Sequence, residues 1–123
     1  MVVLLLKVKG MRNYRLKIYQ QYDIITIMNR TDILNYLKQH YQEYKNKYQI
    51  DQIGVFGSYA RDEATKDSDV DICIKTKHTD LFALVHLKED LKQLFKTDID
   101  IVRVRDKMNP YLKNRIDKEA IYV

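Results

Sequence analysis

Two aspartates, Asp69 and Asp71, stand one residue apart in the apolar run "SDVDICIK". In an extended chain alternate side chains share a face, so both carboxylates point the same way, roughly 6–7 Å apart. Two carboxylates so placed in an apolar setting repel, and one tends to hold its proton. A divalent cation between them removes that cost. Mg²⁺ fits the donor type, since it takes a few carboxylates plus waters and substrate phosphates. A third carboxylate is offered by "TDIDIVRVR". Asp100 lies inside that apolar run, whereas Asp98 shares its face but stands at the edge, so Asp100 is the expected member. Before the aspartates comes Gly57-Ser58, directly after another apolar run. Glycine lets backbone approach a ligand closely, and N–H groups in such a turn hold phosphate. No Walker-type loop is present.

These residues need elements to carry them. Thr31 is expected to cap a helix with Asp32 in its first turn, and Ile33, Leu34, Leu37, Tyr41, Tyr44 and Tyr48 recur at helical spacing. "IDQIGVFG" reads as a strand ended by Gly57, residues 62–68 as a polar loop, and "SDVDICIK" as a second strand. Thr79 is expected to cap an amphipathic helix with Leu81, Leu84, Val85, Leu91, Leu94 and Phe95 on a wide apolar face. "TDIDIVRVR" gives a third strand, Asn109-Pro110 opens a last helix, and "AIYV" reads as a terminal strand. The order predicts a small α/β (or α+β) domain.

The chain has 123 residues, one domain's worth, with 46% hydrophobic residues and a net charge of +5. Such a charge fits a solvated Lys-rich surface as readily as an anionic partner. The single cysteine, Cys73, sits in an apolar run as a structural thiol and excludes an intrachain disulfide. His40, His78 and His86 lack zinc-ligand spacing. Residues 2–8 read as a short strand, too short to span a membrane and without a secretory cleavage pattern, so a soluble cytoplasmic protein is expected. "MNRTDIL" reads like a fresh N-terminus. Residues 1–27 are therefore set apart as a leading segment, an extension from an upstream start, and 28–123 as the domain.

Taken together, "GSYARDEATKDSDVDICI" resembles the signature of the DNA polymerase beta-like nucleotidyltransferases: Gly-Ser, Ala-Arg, a loop, then Ser-Asp-x-Asp in an apolar strand. "IDIV" resembles that superfamily's third-carboxylate strand, and "NRIDKEAIYV" resembles the C-terminus of its smallest members, the minimal nucleotidyltransferase (MNT) group. The resemblance runs from about Thr31 to Val123. Asp62 departs from it, because many members have Gly after the Arg.

The resemblance implies a small mixed sheet flanked by helices. It implies that Asp69, Asp71 and Asp100 hold two Mg²⁺ ions for in-line phosphoryl displacement, with Asp100 also helping to remove the acceptor's proton. Gly57 backbone and the Ser58 hydroxyl would hold the triphosphate of ATP, and Arg61 would either neutralise charge there or form a structural ion pair. In the MNT group the partner is a HEPN-class RNase toxin, bound in a hetero-oligomer and silenced by AMP transfer to a tyrosine. That makes an antitoxin the expected function, with a protein rather than nucleic acid or membrane as partner. A small-molecule (aminoglycoside-like) acceptor and a non-catalytic, binding-only antitoxin are the alternatives.

Overall fold

A computed structural model describes the backbone of residues 2–6 and 15–19 and the whole of residues 28–78 and 80–123. Strands β1 (Val2–Leu6) and β2 (Arg15–Tyr19) form an antiparallel ladder with Leu4 opposite Lys17. The second strand falls in a stretch where the sequence shows no period. The rest runs α1 (Arg30–Tyr48), β3 (Gln52–Phe56), α2 (Gly57–Ala60), β4 (Val70–Lys75), α3 (Leu81–Phe95), β5 (Ile99–Arg103), α4 (Pro110–Glu119) and β6 (Ile121–Tyr122).

Strands β3 to β6 make a mixed sheet in the order β5-β4-β3-β6, parallel only between β4 and β5. That parallel pair requires a crossover, and α3 supplies it. Alternation along β4 divides the two layers. Val70, Ile72 and Ile74 are fully buried against Ile33, Leu37, Leu87, Leu91 and Phe95 of α1 and α3. On the other face Cys73 joins Phe56 and Ile116 in a smaller cluster under α4. Cys73 is a free buried thiol, as expected, and burial pushes its pKa up to about 11. The sheet flanked by helices is the expected fold class.

Three local expectations are corrected. The cap of α1 is Asn29, not Thr31. Asn29 Oδ1 accepts from the Asp32 N–H at 3.0 Å while Asp32 Oδ2 accepts from the Asn29 N–H at 3.1 Å, a reciprocal box that satisfies two donors. The proposed cap Thr79 lies outside the described residues. Asp80 caps α3, accepting from the Phe82 and Ala83 N–H groups. The buried stripe of α3 is also narrower than its apolar composition. Leu87, Leu91 and Phe95 are buried, but Leu81, Val85 and Leu94 are 72%, 57% and 37% exposed. At about 100° per residue all three lie off the centre line of the buried stripe, Val85 the farthest from it. Asn109 does cap α4, with Pro110 in its first turn. No helix among the described residues is long and apolar enough to cross a membrane.

Candidate active site

The ends of β3, β4 and β5 meet beside α2. Strand register sets Phe56 opposite Asp71, and Asp71 opposite Asp100 on the parallel strand. Register partners on neighbouring strands share a face. Asp71 and Asp100 therefore stand side by side on the α4 side of the sheet. Asp69 lies just before β4, in exposed chain. The loop bearing it is tied down by Val70 N–H to the Asp98 carbonyl (3.0 Å) and by Thr97 Oγ1 to the Ser68 carbonyl (3.4 Å). The competing Asp98 points elsewhere: its carboxylate is 74% exposed and pairs with Lys92 at 3.6 Å.

Gly57 closes the other side. It leaves β3 with φ of +74°, which L side chains rarely adopt, and a Cβ there would stand 2.0 Å from Asp71 Oδ2. Only a glycine lets the turn lie directly on the carboxylate. Ser58 follows within α2, partly exposed, and its carbonyl accepts from the Glu63 N–H at 2.8 Å.

The electrostatics carry the repulsion that the two aspartates imply. Asp71 is half-buried, and its pKa is pushed from 3.8 up to about 6, first by desolvation and then by Asp100 and Asp69. Arg115 and Arg61 oppose that shift. A carboxylate pressed by two others and by burial is a place where a cation lowers the energy. The donors are all carboxylate oxygens, the type that suits Mg²⁺. Among the described residues no three such side chains are already gathered around one point. The fit thus rests on the Asp71–Asp100 pair, with Asp69 two residues away.

Arg61 is held by Glu63 (Nε to Oε1, 2.7 Å) and by Glu119 (Nη1 to Oε1, 3.0 Å). Asp62, the departure from the MNT pattern, has a φ of +62°. The loop keeps the left-handed turn that glycine favours, with Asp accepting the strain. Two residues escaped the sequence reading. Glu119, the last residue of α4, receives both Arg61 and the Gly57 N–H (3.1 Å). Arg115 lies one turn earlier, 5.9 Å over the Phe56 ring. Both stand in "NRIDKEAIYV", at i and i+4, and that spacing was the available signal.

Residues 30–123 match the Nucleotidyltransferase domain family. The chain belongs to that family. A Methanocaldococcus jannaschii protein provisionally named a protein adenylyltransferase is 36% identical, over 76% of this chain and 96% of the relative. Protein adenylyltransferase MntA of Thermococcus cleftensis is 30% identical, over 80% of this chain and 100% of its own length. Among solved structures, one provisionally named a minimal nucleotidyltransferase superposes with a TM-score of 0.63 at 28% identity, covering 78% of this chain and 97% of the other. A tri-AMPylated Shewanella oneidensis HEPN toxin in complex with MNT antitoxin gives 0.56 at 20% identity, covering 76% and 70%, a likeness of fold. The nucleotidyltransferase expectation is borne out.

Proposed function

We propose that this nucleotidyltransferase is an antitoxin that transfers AMP from ATP to a tyrosine hydroxyl of a HEPN-class RNase toxin. The observation that carries the reading is the Asp71–Asp100 register pair lying against the Gly57-Ser58 turn. The relatives named protein adenylyltransferase support the reaction class. The complex of a tri-AMPylated HEPN toxin with its MNT antitoxin supports the kind of partner.

Each residue has a stated task. Asp69, Asp71 and Asp100 would hold Mg²⁺, two ions in the full scheme, which supplies charge neutralisation for an in-line displacement. The Gly57 turn and the Ser58 hydroxyl orient the triphosphate, and Arg61 and Arg115 add positive charge at its edge. The acceptor oxygen attacks the α-phosphorus, the bond to the bridging oxygen breaks, and pyrophosphate leaves. Asp100 takes up the acceptor's proton. A phenol suits this step because its pKa of about 10 makes it easier to deprotonate than an aliphatic alcohol. Residues 28–123 hold every group used, so a Met28–Val123 fragment is expected to be as active as the full chain.

The test is a titration of toxin RNase activity, with and without ATP and Mg²⁺, alongside an intact-mass spectrum of the toxin. The reading expects substoichiometric protein plus ATP to silence excess toxin with a mass gain of whole AMP units, and Asp100→Ala to do neither. Equal, stoichiometric inhibition in both conditions with no mass gain replaces the enzyme by a binding-only antitoxin.

A further inference from the structure

Glu119 Oε1 accepts from two donors, the Gly57 N–H at 3.1 Å and Arg61 Nη1 at 3.0 Å, and forms an ion pair with Arg115 Nη2 at 3.8 Å. Its side chain is only 18% exposed, against 40% for Arg61 and 50% for Arg115. Strand β6 explains how it arrives there. Val55 pairs with Ile121 and Gly54 with Tyr122, so continuing the antiparallel ladder would set Gly57 opposite Glu119. Glu119 is still helical, so no strand backbone can meet Gly57 there. The Glu119 side chain meets the Gly57 N–H instead.

That N–H belongs to the turn whose Cα lies on the Asp71 carboxylate. Helix α2 is one turn long and has no side-chain cap of its own. A staple between α2 and α4 would need only the Arg61–Glu119 pair. The backbone bond to Gly57 does more, because it fixes the orientation of the Phe56–Gly57 peptide, which leads into the turn.

We propose that Glu119 is a positioning residue for donor binding. Its carboxylate holds the Gly57-Ser58 turn against Asp71 and keeps the guanidinium groups of Arg61 and Arg115 at the same edge, where a nucleoside triphosphate needs positive charge. The proposal rests on the nucleotidyltransferase reading of the site and adds α4 to its machinery.

Calorimetric binding of Mg-ATP to the full chain tests it, beside thermal melts of every variant. Glu119→Ala is expected to weaken Mg-ATP binding about 10-fold or more in protein that is still folded, as loss of a supporting partner does. Glu119→Gln keeps an acceptor oxygen for the Gly57 N–H and is expected to restore affinity to within about threefold of wild type. A purely structural role predicts a lower melting temperature with wild-type affinity in the folded protein, and that result overturns the proposal. If Glu119→Ala does not fold, Glu119→Asp carries the test. It keeps the charge but falls short of Gly57, so unchanged affinity there also overturns the proposal. Wild-type protein that does not bind Mg-ATP defeats the nucleotidyltransferase site itself and Glu119's role with it. Normal wild-type binding with unaffected variants defeats the role alone.

Discussion

The two faces of β4 do opposite work. Val70, Ile72 and Ile74 face α1 and α3 and are sealed from water, with no charged group buried among them. Asp71 shares the other face with Cys73, where a ten-residue helix covers a buried cluster of only three residues. The first face is pure apolar burial, worth about 25 cal/mol for each Å² removed from water. The second places carboxylates where they repel. A single strand can do this because its side chains alternate, so one surface stabilises the fold while the next residue holds a destabilising charge.

The sharpest way to break the contrast is to neutralise the charged face. Asp69→Asn with Asp71→Asn is expected to lower AMP transfer at least about 10²-fold, as loss of electrostatic groups at a reacting centre does. Circular dichroism should show an unchanged fold. Transfer at the wild-type rate would mean that these carboxylates do not hold the metal. A cut on the sealed face should act in reverse. Ile72→Ala is expected to lower unfolding free energy by about 3 kcal/mol in a urea titration, with turnover by the remaining folded protein unchanged.

The smallest effect is a dependence on pH. Asp71 titrates near 6 in the folded chain against 3.8 as its ordinary value, so the native state binds the extra proton. Its contribution is present in full below about pH 4 and is lost as pH rises through 6. Discounted for solvent around a half-buried carboxylate, the loss is about 1 kcal/mol. In metal-free protein, Asp71→Asn should remove this slope and match or exceed wild-type stability at pH 7. Saturating Mg²⁺ should remove the slope in the wild type as well. A wild-type stability curve flat between pH 4 and 7 would contradict the shifted titration.

The charged face was more legible in the sequence than its supports. Asp71 and Asp100 interrupt apolar runs, and a broken pattern is visible without any structure. Gly57-Ser58 gained meaning from its place before them. Glu119 and Arg115 look like ordinary charges on a helix surface. Their role exists only because β6 pairs with β3 and swings the end of α4 onto Gly57. Helix α2 is too short for periodicity to register. The cap of α1 moved from Thr31 to Asn29 because a reciprocal box with Asp32 satisfies more donors than either residue's composition suggests. The apolar face of α3 is wider than its buried stripe because apolar content measures what a helix offers, whereas burial depends on what covers it.

The register of β4 also sets an order of events during folding. Phe56 and Asp71 are about fifteen residues apart and meet through an antiparallel pairing, whereas Asp71 and Asp100 are about thirty apart and meet only after α3 has crossed over. Closing the longer, parallel loop is the slower event. The Gly57-Ser58 turn therefore reaches Asp71 before Asp100 arrives, and the half-assembled cluster lacks the neighbour that most strongly opposes ionisation of Asp71. Pulsed hydrogen exchange would test this through the β3–β4 amides, which should gain protection earlier than those joining β4 to β5. The carboxylate pair would then form after the β3–β4 hairpin and before β6 closes its still longer loop onto β3.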